Sequence, residues 1–154
     1  ISLSVDGTHE RFEFLRHPGK WNKALKVIDT IDNLQNELDC EVYVMGSLTV
    51  SAMNVLDVDN IYSWHKDRGD VYINMVQSPA YMSISRMPDH IKQVVRDNIT
   101  NSEVIGYLDV ETFDPTLWEQ FKIWTTRQDL YRNESLRQVF PKIYYLMYER
   151  NYDE

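Results

Sequence analysis

The stretch Ile1-Ser2-Leu3-Ser4-Val5-Asp6-Gly7 has the pattern of a short buried strand that ends in an Asp-Gly turn. Two further β-branched runs follow it. They are Glu41-Val42-Tyr43-Val44-Met45, which continues towards Val50, and Val71-Tyr72-Ile73-Asn74-Met75-Val76. The intervals between these runs are too long for hairpin loops and carry helical patterns. The sequence therefore predicts three parallel strands joined by right-handed crossovers.

The first interval begins with a polar stretch, from Thr8 to Lys20, and continues into the clearest helical pattern of the chain. Pro18 lies close to the predicted start of a helix of about 20 residues. Its apolar positions recur every three or four residues: Trp21, Ala24, Leu25, Val27, Ile28, Ile31, Leu34 and Leu38. In the second interval, a shorter helix is predicted that is capped by Asp57 or Asp59 and ends before Gly69.

The second half of the chain has helical patterns only. Pro88-Asp89 and Asp114-Pro115 are each typical of a helix start, and Pro141 divides the helical stretch from Asp129 to Tyr152 into two pieces. The predicted fold class is α/β, with a βαβαβ unit over residues 1–88, which the resemblance described below implies to be a half-barrel, and a helical region over 89–154 packed on it as one compact unit.

The composition excludes several classes of protein. With 154 residues, a formal charge of −8 and a single cysteine, the chain cannot close an internal disulfide or supply a thiolate-rich metal site by itself. The acidic balance argues against nucleic-acid binding. No run approaches the roughly 18 apolar residues of a membrane span, and no signal peptide is recognisable, so we expect a cytoplasmic protein that binds no membrane.

Three parallel strands are a small sheet, because parallel sheets are normally covered on both faces and at their edges. The first strand begins at Ile1. We therefore expect the chain to be the second half of a larger α/β fold.

Several short motifs, in this order, resemble the radical S-adenosylmethionine (radical SAM) enzymes. Ser2-Leu3-Ser4-Val5-Asp6-Gly7 followed by Phe14-Leu15-Arg16 is similar to the family's fourth strand and following loop. Asn54-Val55-Leu56 is similar to the end of its fifth strand. The segments Asn74 to Pro79, Tyr81 to Ile84 and Met87-Pro88, and later Asp129 to Arg132 and Phe140-Pro141, resemble the subgroup with a twitch-type C-terminal region.

The resemblance implies the C-terminal half of a partial (β/α)6 barrel followed by helices. In the whole enzyme it implies reductive cleavage of S-adenosylmethionine to a 5′-deoxyadenosyl radical that abstracts a hydrogen from the substrate. The family holds its 4Fe-4S cluster in a C-x-x-x-C-x-x-C loop, and this chain has only Cys40, which we interpret as a small buried hydrophobe. The chain by itself is therefore expected to bind no cofactor and to be catalytically inert.

The predicted cofactor-binding residues are Ser4, Asp6, Arg16 and Asn54, since ligands gather at the carboxyl ends of parallel strands. The resemblance implies that Ser4, Arg16 and Asn54 bind S-adenosylmethionine. Alternatives remain for each of them. Asp6 could simply form an Asp-Gly turn, Arg16 could pair with Glu10 or Glu13 on the surface, and Asn54 could cap a turn.

No catalytic residue and no metal ligand is predicted in this chain. The four histidines (His9, His17, His65 and His90) lack metal-ligand spacing and are expected to be ordinary surface or partly buried side chains. The alternative function is a stand-alone α/β interaction module without catalytic activity. The expected partners are the missing half of the barrel, an unknown substrate and a second copy bound through the strand edge at residues 1–5.

Overall fold

The computed structural model describes residues 1–38 and 41–148. Two of the predictions above lie outside these residues, namely the burial of Cys40 and the continuation of the last helix to Tyr152. The described part is an α/β fold with three strands and eight α-helices.

The strands β1 (Ser2–Ser4), β2 (Met45–Val50) and β3 (Asp70–Met75) form one parallel sheet in the order β1-β2-β3. This order confirms the predicted sequence of parallel crossovers. The predicted start of the second strand at Glu41 is wrong. Both neighbouring strands first pair with Met45, and before it the Ile1 ammonium donates a single hydrogen bond to Tyr43 O instead of continuing the ladder.

Between β1 and β2 the chain forms two helices, α1 (His9–Leu15) and α2 (Trp21–Glu37). Helix α1 lies in the stretch from Thr8 to Lys20, which has no helical pattern and is recognised in the sequence only as polar. The helix contributes a single buried side chain, Phe14. Because α1 is short and buries one side chain, its sequence has no apolar periodicity from which a helix could be predicted.

The apolar stripe of α2 is only partly buried. Trp21, Ile28 and Ile31 are buried as predicted, whereas Val27, Leu34 and Leu38 are exposed. At about 1.5 Å per residue the helix is roughly 25 Å long, and it packs against a strand of about 10 Å. Its ends therefore extend beyond the sheet.

Helix α3 (Val58–Lys66) connects β2 to β3. Asp57 occupies the N-cap position of α3, as predicted, but its side chain makes no capping hydrogen bond, and neither does that of Asp59. Asp57 pairs with Arg11 at 3.0 Å, and Asp59 accepts hydrogen bonds from the backbone N–H groups of Thr100 and Asn101. A 3₁₀ turn over residues 55–57 leads directly into the helix, so backbone carbonyls take the place of a side-chain cap.

The remaining helices are α4 (Asp89–Asn98), α5 (Ser102–Tyr107), α6 (Pro115–Arg132), α7 (Leu136–Val139) and α8 (Pro141–Tyr148). The starts predicted at Asp89 and Pro115 are confirmed, and Pro141 separates two helices as predicted. The stretch from Asp129 to Pro141 is not continuously helical, because α6 ends at Arg132, with Asn133 in the left-handed conformation, and α7 begins at Leu136. Asp114 caps α6 by accepting hydrogen bonds from the N–H groups of Thr116 at 2.9 Å and Leu117 at 3.0 Å. Helix α5 is too short for its pattern to be recognised in the sequence.

The two faces of the sheet differ in chemistry. One face carries Leu3, Leu48, Val50 and Ile73, all buried, and it packs against the crossover helices α2 and α3. The other face is half-buried or exposed, and most of its side chains are polar: Ser2, Ser4, Met45, Ser47, Thr49, Asp70, Tyr72 and Asn74. The two crossover helices α2 and α3 therefore cover the same face of the sheet.

Gly46 lies in β2 directly against the imidazole of His65. A Cβ atom at this position would lie 2.7 Å from His65 Cγ and 2.9 Å from His65 Cβ. These distances are too short for non-bonded carbons, and His65 is only 1% exposed, so the ring has no room to move. Close packing of β2 against α3 therefore requires glycine at position 46.

We predict that Gly46→Ala lowers the free energy of unfolding by about 2 kcal/mol because the added methyl group overpacks this contact. Gly106→Ala is the matched control, because nothing lies within 4 Å of its added Cβ and alanine favours the helix. Urea denaturation measures both variants. Equal stability of Gly46→Ala and the wild type would contradict the packing described here.

Candidate functional site

The carboxyl ends of β1 and β2 are held together by side chains. The backbone N–H and C=O groups of the odd-numbered residues of β2 point towards β1. Val5 N–H donates to Ser47 O, and Met45 N–H donates to Ile1 O. β1 ends at Ser4, so the backbone groups of Thr49 and Ser51 extend past the end of that strand. Backbone groups without a strand partner need side-chain partners when they are buried.

Asp6 and Asn54 supply those partners. Asp6 Oδ1 accepts a hydrogen bond from Thr49 N–H at 2.7 Å. Asn54 Nδ2 donates to Thr49 O at 2.9 Å and to Asp6 O at 3.0 Å, and Asn54 Oδ1 accepts from Ser51 N–H at 2.8 Å. Asn54 is 1% exposed, so its hydrogen bonds are made inside the chain. Its role here is to fix the edge of the sheet.

Arg16 lies immediately after α1 and turns back to the end of β1. Its Nε donates to Asp6 Oδ2 at 2.9 Å, and its Nη2 donates to Asp6 Oδ2 and to Ser4 Oγ, each at 2.6 Å. The alternative that Arg16 pairs with Glu10 or Glu13 is wrong, because Glu13 instead pairs with Lys20 at 2.9 Å. Among the described residues, Nη1 of Arg16 has no hydrogen-bond partner, and the side chain is 36% exposed.

The four predicted site residues, Ser4, Asp6, Arg16 and Asn54, thus form one connected network at the predicted edge. A cavity of about 250 Å³ adjoins it. Asp6, Thr49, Ser51 and Asn54 contribute to one side of the cavity, and α6 contributes Trp124, Gln128 and Arg132. These three residues repeat every four positions, which places them on one face of the helix.

The contribution of α6 to the cavity is not predicted from the sequence. The spacing of Trp124, Gln128 and Arg132 is visible in the sequence, but nothing local shows that this face meets the end of a sheet more than 70 residues earlier in the chain. Arg132 Nη1 donates to Phe14 O at 3.2 Å, which ties α6 to α1. A mixed wall of an indole ring, an amide and a guanidinium can contact a ligand that has both a ring and charged groups.

The side chain of His65 also contacts the end of β1. It is fully buried, whereas the sequence predicts a surface or partly buried histidine. Its Nε2 lies 2.8 Å from Val5 O, so this nitrogen carries the proton that is donated to the carbonyl. Burial lowers the pKa of His65, opposed by the hydrogen bond to Val5 and by the charge of Asp6. The imidazole is therefore neutral at pH 7.

The described residues contain no group of three or more His, Cys, Asp or Glu side chains that could hold a metal ion. The single cysteine of the sequence cannot supply the three thiolates of a 4Fe-4S site. In residues 1–38 and 41–148, no helix is long and apolar enough to cross a membrane.

Comparison of the chain with models of protein families, with curated proteins and with solved structures gave no match.

We predict that Asn54→Ala lowers the free energy of unfolding by about 3 kcal/mol, because Thr49 O and Ser51 N–H lose their buried partners. Asn22→Ala is the control, since Asn22 is exposed on α2 and should change stability by less than about 0.5 kcal/mol. Chemical denaturation distinguishes the two variants. A cost for Asn54→Ala no larger than that for Asn22→Ala would show that Asn54 does not hold the strand ends.

The lowered pKa of His65 predicts a loss of stability in mild acid. Below the ordinary histidine pKa of about 6.5, the unfolded chain binds a proton at His65 that the native chain does not bind. The free energy of unfolding should therefore fall between about pH 7 and pH 5.5, with a slope of up to about 1.4 kcal/mol per pH unit.

His65→Asn should lose most of this pH slope, whereas His90→Gln, at an exposed position, should keep it. Denaturation curves at a series of pH values provide the comparison. An NMR titration in which His65 protonates near pH 6.5 in the folded wild type would contradict the neutral, buried imidazole.

Proposed function

We propose that this chain is the C-terminal half of a radical SAM-type enzyme and that the cavity at the ends of β1 and β2 binds S-adenosylmethionine. The observation that carries the proposal is the asymmetry of the sheet. Three parallel strands in consecutive order have an apolar face covered by α2 and α3 and a polar, open face. The cavity lies at the carboxyl ends of the strands, which is where (β/α) barrels place their ligand sites.

We assign the methionyl carboxylate of the cofactor to Arg16, which does not itself line the cavity but is hydrogen-bonded to Asp6, which does. Asp6 and Ser4 hold two of its nitrogens and leave Nη1 directed away from them. A guanidinium held in this way loses little further conformational freedom when it binds a carboxylate. Charge-assisted hydrogen bonds of this kind are strong. Asn54 acts indirectly, because its amide is used within the chain to position the strand edge.

The 4Fe-4S cluster does not fit the residues of this chain, since three thiolates are needed and the sequence contains one cysteine. Its ligands would have to come from outside these 154 residues. The chain then contributes the cofactor-binding strand ends, and the α6 face with Trp124, Gln128 and Arg132 encloses the cavity from the other side. Exclusion of water by such a wall protects reactive intermediates.

The first test is the coding sequence upstream of Ile1. The proposal requires a C-x-x-x-C-x-x-C motif there, in a region that also supplies the other strands of the barrel. A reading frame that lacks this motif would refute the proposed function.

The second test measures binding in the complete gene product under anaerobic conditions. Arg16→Ala should weaken S-adenosylmethionine binding at least about tenfold in isothermal titration calorimetry, because a charge-assisted hydrogen bond is worth roughly 1.5–3 kcal/mol. Arg96→Ala is the control, since it removes an ion pair, with Asp109, that lies outside the hydrogen-bonded network of Ser4, Asp6, Arg16 and Asn54. Unchanged affinity in Arg16→Ala would rule out this role for Arg16.

A further inference from the structure

The cavity at the ends of β1 and β2 contains a cationic group that the proposed cofactor does not use. Among the described residues that line this cavity, two are charged, Asp6 and Arg132. The carboxylate of Asp6 is paired with Arg16 at 2.6 Å, so its charge is balanced within the chain. S-adenosylmethionine has a single carboxylate, and Arg16 is the residue proposed to bind it. Arg132 is therefore left without an anionic partner in the cofactor.

The guanidinium of Arg132 retains most of its hydrogen-bonding capacity. Its side chain is 22% exposed, and Nη1 donates to Phe14 O at 3.2 Å. Within the described residues, Nε and Nη2 of Arg132 have no hydrogen-bond partner. Glu134 Oε2 lies 3.9 Å from Nη1, which is close enough to offset part of the charge but too far for a hydrogen bond. A mostly buried guanidinium with unused N–H groups is suited to bind a carboxylate or phosphate.

Gln128 adds a second polar group with unused hydrogen-bonding capacity beside Arg132. It lies one helical turn before Arg132 on the same face of α6 and also lines the cavity. Its Oε1 is buried, and no donor among the described residues reaches it. A buried amide without partners is costly in the free protein, so a ligand that hydrogen-bonds to it gains affinity.

The rest of the cavity favours an apolar ligand body. Six apolar side chains line it: Phe14, Leu15, Met53, Val76, Met82 and Trp124. The hydrogen bond from Arg132 to Phe14 O places the guanidinium next to this apolar wall. The backbone of Thr49 and the side chains of Ser51 and Asn54 are already hydrogen-bonded within the chain. A small organic anion with an apolar body therefore matches both parts of the cavity.

We propose that Arg132 is a specificity-determining residue that binds the anionic group, a carboxylate or a phosphate, of a small substrate with an apolar body. As a statement about the substrate, this inference rests on the proposed function, whereas the binding of an anion by Arg132 does not. The cavity volume of about 250 Å³ limits the substrate to a small molecule. The formal charge of −8 repels anions from the protein as a whole, so an anion that binds here does so through the local guanidinium.

Titration of the 154-residue chain with three small aromatic probes tests the anion site without any cofactor. The probes are benzoate, phenyl phosphate and the neutral benzyl alcohol, and two-dimensional NMR follows the backbone amide signals of Phe14 and Gln128. At least one of the two anions should bind with a Kd below about 10 mM. Benzyl alcohol should bind at least about tenfold more weakly. Equal binding of the alcohol, or no binding of either anion, would overturn the proposal.

Arg132→Gln should raise the Kd of the tighter anion at least about tenfold, because a charge-assisted hydrogen bond is lost. Arg96→Gln is the matched control, since it removes an arginine of similar exposure, 30%, that lies outside the cavity, and it should leave the Kd unchanged. Circular dichroism shows whether both variants are folded. The comparison of anionic with neutral probes uses the wild type alone, so it does not depend on the folding of a variant. Equal Kd values for Arg132→Gln and the wild type would also refute the anion site.

A titration of the complete gene product separates this inference from the proposed function. S-adenosylmethionine should not compete with the anionic probe, since the two ligands have separate arginines. Competition would show that Arg132 binds the cofactor itself, which overturns its assignment to the substrate. A product that binds the anion through Arg132 but binds no S-adenosylmethionine would refute the proposed function and leave the anion site intact. Binding of S-adenosylmethionine without binding of either anion would refute this inference alone.

Discussion

The fold depends on which groups hydrogen-bond to the backbone of β2 where this strand extends beyond the end of β1. A strand that extends past its neighbour exposes backbone N–H and C=O groups that a buried position does not tolerate. Here the carboxylate of Asp6 and the amide of Asn54 take the place of the missing strand, and they bond to Thr49 and Ser51. Because Asp6 also binds Arg16 and lines the cavity, the same carboxylate completes the sheet and fixes the guanidinium at the end of β1.

The remaining architecture follows from the two unlike faces of the sheet. The apolar face is buried beneath α2 and α3, and contact of Gly46 with His65 sets how closely α3 approaches. The polar face remains open and leads to the cavity, which α6 closes from the opposite side. Helix α6 also carries exposed apolar side chains, namely Ile123, Leu130 and Tyr131.

The sequence predicts the parts of this structure that depend on local signals. Alternating apolar runs reveal the strand order, and prolines at positions 88, 115 and 141 mark helix starts. From the predicted strand ends, Ser4, Asp6, Arg16 and Asn54 are expected to form one group, and the structure brings them together. Features set by tertiary contact are missed: the start of β2 at Met45, the short helix α1 and the cavity wall on α6. In each of these, a distant segment decides the outcome and no local pattern records it.

Native-state hydrogen exchange at Thr49 tests most directly whether Asp6 completes the sheet. In the wild type, the Thr49 amide should be protected to a degree similar to that of Leu48, its neighbour in the same strand. In Asp6→Ala, exchange at Thr49 should accelerate at least about tenfold relative to Leu48, because Thr49 N–H loses its acceptor. Equal exchange at Thr49 in the wild type and in Asp6→Ala would contradict the role assigned to this carboxylate.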